Sequence, residues 1–202
     1  PIDDLAFKQG ATLYLQNDVA KGVFTVRSGM LKLQRTTQDG RQRIVRVLRV
    51  GDVCGLEALA TGRFDSEAIA LSDVTLCRIP LDVINGLGAN SSRLHMRLMQ
   101  KWQHALKDAD DWLADLNFGT AKQRVAQLVL KMRHTDDASL STIFSRDDMG
   151  AMLDLKLETV SREISRLVKE NIITPHDKQN RIYKIIWIFI WTNRIIFFSN
   201  II

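Results

Sequence analysis

Three side chains that can hydrogen-bond to another molecule lie within about one helical turn in the C-terminal third of the chain. Glu158, Ser161 and Arg162 stand at i, i+3 and i+4, which places them on one face of a helix. There a guanidinium can donate two bonds to guanine O6 and N7, a carboxylate can accept from cytosine N4, and a hydroxyl suits either. The three residues therefore indicate recognition of base edges. Alternatively, Glu158 and Arg162 only form an ion pair worth roughly 0.2–0.5 kcal/mol.

The elements predicted to position these side chains are two short helices and a hairpin. Ser145 is suited to cap the first helix, with Asp148 three residues later. Residues 154–156 form a tight turn, and a second helix covers 157–170. Residues 172–185 then alternate around a polar turn and predict a β-hairpin wing. This order is that of a winged helix-turn-helix.

The charge distribution agrees with a polyanionic partner. The 202 residues carry a net charge of +5, of which residues 117–202 contribute 13 basic against 9 acidic side chains. Basic surfaces of this kind attract nucleic acid. Contacts to phosphate, which position a domain without choosing a sequence, are predicted for Ser145, Arg146, Thr159, Arg166, Lys178 and Arg181.

The first ninety residues alternate as β-strands. Residues 23–27, 30–34 and 44–48 are separated by glycine turns, and residues 74–79 continue the pattern up to Pro80. Short strands at this spacing predict a small barrel or sandwich. A further helix is predicted over 121–133.

Between the barrel and the helix-turn-helix the period changes to a heptad. The apolar seam consists of His95, Met99, Trp102, Leu106, Ala109, Leu113 and Leu116. Its steps of four and three are typical of a helix that pairs with a second copy. The alternative is a long amphipathic helix that lies on its own domain.

In this order of elements the chain resembles the Crp/Fnr family of bacterial transcription regulators, over roughly residues 9–185. Residues 22–29 are similar to a family barrel strand and turn, and residues 157–162 to the start of its recognition helix. The resemblance implies an α+β fold: a double-stranded β-helix barrel of the cyclic-nucleotide-binding type, a long dimerisation helix and a winged helix-turn-helix. The corresponding domains are 1–90, 91–116 and 117–185, followed by an atypical apolar tail, 186–202.

Two features resemble the Fnr-like branch. An ungapped match of the cyclic-nucleotide cassette puts Leu56 where a ribose-binding Glu is needed, and Ser66 and Glu67 where an Arg-Ser pair should bind phosphate. Cyclic AMP is therefore disfavoured, because its phosphate would meet a carboxylate instead of a guanidinium. Glu158, Ser161 and Arg162 match the Fnr-like reading set, which implies TTGAT-like half-sites in an inverted repeat.

The cysteines bear on a cofactor. Cys77 stands where Fnr proteins place their internal iron–sulfur ligand, but a cubane cluster needs four ligands and no cysteine precedes Cys54. The chain as given is thus expected to hold no metal and no evident cofactor. A cluster would require an N-terminal segment with further cysteines, before the Pro1 at which this sequence begins. Cys54 is expected to be a buried small residue.

Other positions depart from the family pattern. Asp154 replaces the usual turn glycine, although Asp tolerates the left-handed conformation better than most residues. Lys156 replaces the hydroxyl cap of the recognition helix, which should cost about 1 kcal/mol. After Ile185 the family ending is lost, and the tail is interpreted as a disordered or sticky extension without function.

The resemblance implies double-stranded DNA, a second copy of the chain and RNA polymerase as partners, the last through residues 36–41, and a cytoplasmic location. A membrane tether through the tail is disfavoured, since polar residues interrupt the apolar run. An alternative is a small-molecule-binding barrel with a degenerate DNA-binding domain. Catalysis is disfavoured because the four histidines are scattered without metal-ligand spacing: His95, His104, His134 and His176.

Overall fold

The computed structural model describes residues 3–37, 40–88, 91–186, 189–192 and 194–197, and it divides into two compact units, Pro1–Trp112 and Leu113–Ile202. Each unit has its own secondary-structure elements and its own buried core.

The first unit contains two four-stranded antiparallel sheets among its described residues, with orders β1-β8-β3-β6 and β2-β7-β4-β5. The strands are β1 (Asp3–Phe7), β2 (Thr12–Tyr14), β3 (Gly22–Ser28), β4 (Leu31–Thr36), β5 (Gln42–Leu48), β6 (Val53–Cys54), β7 (Glu67–Ala70) and β8 (Val74–Pro80). The helices are α1 (Ala58–Thr61), α2 (Leu81–Gly88) and α3 (Ser92–Leu116), the last of which runs into the second unit. The predicted β-rich, barrel-like fold is confirmed.

Aromatic and aliphatic side chains fill the space between the two sheets. Tyr14 stacks on Phe64 with ring centroids 3.6 Å apart, and Phe24 packs beside them. Leu31 and Leu76 are fully buried in the same cluster. The alternation seen in the sequence thus places one face of each sheet in a common core.

The predicted turn between β3 and β4 requires a glycine. Gly29 has a φ of 75°, and a Cβ atom there would lie 2.1 Å from the carbonyl oxygen of Asp73. No side chain fits that approach, so the glycine fixes where the two strands reverse.

The second unit is a helical domain with a small antiparallel sheet. Its elements are α4 (Ala121–Lys131), β9 (Leu140–Thr142), α5 (Arg146–Leu153), α6 (Leu157–Lys169), β10 (Ile173–Asp177), β11 (Ile182–Ile185), β12 (Phe189–Thr192) and β13 (Arg194–Phe197). The wing strands join β9 in the order β10-β11-β9, and β12 pairs with β13. The predicted helix-turn-helix and wing are present. In the predicted apolar tail, the described backbone forms the β12–β13 hairpin, and the remaining tail positions beyond Ile186 lie outside the described residues.

Some elements were not predicted. Strands β1, β2 and β9 and helices α1 and α2 are short, so none of them shows enough repeats of a hydrophobic pattern to be recognised in the sequence. The predicted helices 121–133 and 157–170 end at Lys131 and Lys169, one or two residues earlier than the sequence indicates. Among the described residues, no helix combines the length and the apolar composition needed to cross a bilayer.

Candidate nucleic-acid interface

Helix α5 is held in place by its N-terminal cap. The Ser145 hydroxyl accepts from the Asp148 backbone N–H at 3.0 Å and donates to the Asp148 carboxylate at 2.7 Å. The predicted cap is therefore confirmed. It also commits the hydroxyl that was predicted to contact phosphate, and Arg146 beside it lies half-buried, with a terminal nitrogen 3.7 Å from Met149 Sδ.

The turn between α5 and α6 is tight because of two residues. Asp154 adopts the left-handed conformation, with φ 53° and ψ 48°, as the sequence predicted. Gly150, which the sequence analysis missed, lies where a Cβ atom would come within 2.7 Å of the Leu155 carbonyl oxygen. The Leu155 N–H donates to the Gly150 carbonyl at 3.1 Å, so the close approach closes the turn.

Helix α6 buries one face and exposes the other. Val160, Ile164 and Leu167 are buried against the rest of the unit, and α6 contacts both α4 and α5. The opposite face carries Glu158, which is exposed, and Arg162, whose side chain is 67% exposed.

The three residues predicted to contact bases therefore lie close together on α6, but their side chains differ in exposure to solvent. Ser161 lies between the other two in the chain and is half-buried, as is Thr159. Lys156 occupies the N-cap with extended backbone and makes no side-chain cap hydrogen bond. The predicted lack of a cap is confirmed.

One residue of this helix was missed by the sequence analysis: Glu163, a carboxylate with only 8% of its side chain exposed. Arg162 Nε donates to Glu163 Oε1 at 3.3 Å, and Arg166 approaches Glu163 Oε2 at 4.0 Å. The helical period places position 163 beside Val160, Ile164 and Leu167, so its burial could have been inferred from spacing alone.

The end of α6 forms a second ion cluster. Arg166 Nε donates to Glu170 at 2.9 Å, and Lys122 of α4 also binds that carboxylate. Both cations hold the pKa of Glu170 below its usual value. Arg166, predicted to contact phosphate, thus already has protein partners.

The wing presents the two remaining predicted phosphate contacts. Lys178 and Arg181 are exposed at the β10–β11 turn, and Arg181 has a φ of 54°. Asp177 closes this turn by accepting from the backbone and side chain of Asn180, which lowers the pKa of Asp177.

Helix α3 exposes most of its predicted seam. Ala109 is half-buried and Leu116 is buried, whereas the remaining five seam residues are exposed: His95, Met99, Trp102, Leu106 and Leu113. An apolar row of this kind on a 25-residue helix is not covered by the described residues of the chain.

The cassette region of the first unit has no guanidinium at the matched positions. Leu56 and Ser66 are buried, and Glu67 accepts from Gln34 Nε2 at 3.3 Å. Nearby Arg63 donates to the Asn17 carbonyl at 2.7 Å.

The two cysteines are free and buried in the first unit. Burial raises the pKa of the Cys54 thiol to about 12. Cys77 lies inside β8, paired with Thr25 of β3. Among the described residues these isolated thiols do not make a four-ligand set, so they do not fit a cubane cluster.

Comparison with known proteins defines the class. Residues 4–91 match the cyclic nucleotide-binding domain, and residues 123–186 match the Crp-like helix-turn-helix domain. The chain is therefore a transcription regulator with a helix-turn-helix DNA-binding domain.

Individual relatives point the same way. The chain is 27% identical over 177 residues to a fumarate and nitrate reduction regulatory protein of Yersinia pestis, covering 85% of this chain and 71% of that one. The corresponding Escherichia coli K12 protein is 26% identical over the same coverage. FixK2 from Bradyrhizobium japonicum is similar in structure, with a TM-score of 0.80, 25% identity, and 92% and 93% of the two chains covered. A CRP-family regulator of Thermus thermophilus shares the fold at 19% identity, with a TM-score of 0.74 over 90% and 91% of the chains. The chain belongs to the Crp/Fnr family.

Proposed function

We propose that this regulator binds double-stranded DNA as a homodimer and reads TTGAT-like inverted repeats through Glu158, Ser161 and Arg162. The observation that carries the proposal is the exposed face of α6, where a carboxylate and a guanidinium flank one turn of a helix packed on α4 and α5. This is the arrangement by which a recognition helix reads the major groove.

The proposed dimer forms through the α3 seam. Met99, Leu106 and Leu113 are each more than 60% exposed, and Trp102 is 39% exposed. Contiguous apolar surface of this kind favours an interface over solvent. A helix pair would set the two half-sites about one helical turn of DNA apart.

The proposed phosphate contacts remain Ser145, Arg146, Thr159, Arg166, Lys178 and Arg181. Lys178 and Arg181 on the wing are the best supported, since both are exposed. Ser145 and Arg166 would have to contact phosphate in addition to their hydrogen bonds within the protein.

The proposal extends to the first unit as a sensor that is not gated by cyclic AMP. Its support is the carboxylate of Glu67 at a position where the phosphate would need a guanidinium. Contact with RNA polymerase through the β4–β5 hairpin is part of the proposal, although residues 38 and 39 of that hairpin lie outside the described residues. We assign the chain no catalytic role, and its cytoplasmic location would follow from its DNA target.

The experiment is a binding assay with an operator and its single-base variants, at stated salt. Arg162→Ala should reduce discrimination at one base pair of each half-site by about 1–3 kcal/mol. Lys178→Ala should instead weaken binding to all sequences alike and lower the salt slope. Ser165→Ala, an exposed neighbour on α6, is the matched control and should change neither. If Arg162→Ala ranks every operator variant as the parent does, Arg162 does not read bases.

A second candidate function is a small-molecule-binding barrel whose DNA-binding domain has degenerated. The uncapped N-terminus of α6 at Lys156 is the observation that favours it. Absence of binding to any TTGAT repeat at low salt would support this alternative.

A further inference from the structure

A histidine and two carboxylates from different elements of the first unit converge at one point. His104 and Asp108 are one turn apart on α3, and Asp52 lies in the turn between β5 and β6. His104 Nε2 is 3.4 Å from Asp108 Oδ2 and 3.9 Å from Asp52 Oδ1. Each residue offers one ligand atom, and these atoms all lie within 4.8 Å of one another.

We infer that these three side chains form a site for a divalent transition-metal ion that links the barrel to helix α3. Protein ligands stand about 2.0–2.2 Å from such an ion, so two ligands of a tetrahedral site are roughly 3.3 Å apart. The observed separations need only small side-chain rotations to reach that value. Three protein ligands leave further positions for water, which the partial exposure of all three side chains permits.

The carboxylate of the barrel is oriented independently of the helix. Asp52 Oδ2 accepts from the Arg49 backbone N–H at 2.8 Å, which leaves Oδ1 directed at His104. The backbone of the turn is itself fixed by two hydrogen bonds with Val26 of β3, each 2.9 Å long. The Asp52 carboxylate is therefore already oriented for a metal ion, in the way that hydrogen bonds to the ligands orient them in known metal sites.

The helix is held against the same turn one helical turn away. Lys101 Nζ donates to the Gly51 carbonyl at 2.8 Å. His104 and Asp108 do not belong to the apolar seam, so a bound ion and a paired α3 do not compete for the same side chains.

The donor set selects the kind of ion. One imidazole nitrogen and two carboxylate oxygens favour Zn²⁺, Co²⁺ or Ni²⁺ over Mg²⁺ and Ca²⁺, which take oxygen ligands. Arg49 is close enough to both carboxylates for each of them to act on its charge. Burial lowers the pKa of Arg49, while Asp52 and Asp108 raise it.

The test uses the full, untagged chain after treatment with a chelator. Titration with Zn²⁺ should show one ion per chain, and an equal concentration of Mg²⁺ should not compete. His104→Gln and Asp108→Asn should each lower zinc affinity at least about tenfold. Arg49→Gln should raise it, because the competing cation is lost. Asp110→Asn on the same helix and His176→Gln on the wing are exposed matched controls and should bind as the parent does.

Several results would overturn the inference. These are no stoichiometric zinc binding by the parent, an unchanged affinity in His104→Gln, weaker binding in Arg49→Gln, or effective competition by Mg²⁺. Titration with Co²⁺ adds a spectroscopic check, because a strong thiolate charge-transfer band would place the ion on Cys54 or Cys77 instead. Circular dichroism of each variant shows that a lost affinity does not come from a lost fold.

Discussion

Replacement of Lys156 by threonine should stabilise the helix-turn-helix unit. The N-cap of α6 has φ −68° and ψ 147°, close to the −69° and 160° of Thr120, which caps α4 through a complete capping box. The backbone at Lys156 is thus already in the conformation that a hydroxyl cap needs, and only the acceptor is missing. Supplying it should gain about 1 kcal/mol, within a range of about 0.5–2 kcal/mol.

The charge of Lys156 adds a smaller term. A cation at a helix N-terminus opposes the helix dipole, so its removal should contribute about 0.3 kcal/mol or more. Lys156→Ala removes the charge without adding an acceptor, and it therefore isolates this term. The difference between Lys156→Thr and Lys156→Ala is the cap alone.

The assay is calorimetry of the full chain. Thr120→Ala should lose about 1 kcal/mol from the same unit, which identifies the transition to follow. For a domain of this size, about 1 kcal/mol shifts Tm by about 4–8 °C. Equal Tm values for Lys156→Thr and Lys156→Ala would refute the reasoning, because they would mean that a hydroxyl at this backbone geometry accepts no helix N–H.

Four further outcomes follow from contacts, charges and exposure. Gly150→Ala should cost about 1–3 kcal/mol in denaturant unfolding, since its Cβ would meet the Leu155 carbonyl, whereas Gly86→Ala in α2 has no atom within 4 Å and should not destabilise. The lowered pKa of Glu170 means that its ion pairs stabilise the fold fully above the ordinary carboxyl pKa of 4.5, and that this stability is lost as pH falls through the lowered value. Glu170→Gln should therefore reduce the pH dependence of the free energy of unfolding below pH 4.5. Cys54, fully buried and with a pKa of about 12, should resist thiol reagents at neutral pH until denaturant unfolds the barrel. Leu106→Glu in the α3 seam should convert a dimer to monomers in sedimentation, and an unchanged mass would remove α3 as the interface.

Long periodic segments could be read from the sequence, and short ones could not. The heptad seam along the 25 residues of α3 and the strong amphipathicity of α6 both leave an unambiguous helical period. Strand β9 has only three residues, and its place in the wing sheet depends on pairing with β11, which is distant in the chain. Tertiary pairing, rather than local preference, decides such elements.

The candidate site shows the same division. The turn residue Asp154 and the uncapped Lys156 were identified as departures from the family pattern, and local backbone chemistry then predicted what each would do; both outcomes are observed. Gly150 was missed because its importance arises from a carbonyl across the turn. The burial of Glu163 follows from helical spacing, but its contacts with two arginines are visible only in the structure. The His104 cluster was missed for the same reason, since its third member comes from the barrel turn.

Glu163 contacts both α6 arginines that are proposed to bind DNA: Arg162, which would read bases, and Arg166, which would contact phosphate. Its buried carboxylate accepts from Arg162 through Nε, and its other oxygen lies 4.0 Å from Arg166. A buried carboxylate is stable only when it is paired, so this residue holds the base of the Arg162 guanidinium against the helix. The bidentate contact to guanine O6 and N7 can be made by the two terminal nitrogens, which point away from Nε. In the proposed reading role, Arg162 can therefore keep its bond to Glu163, and its fork would have less orientational freedom to lose on entering the groove.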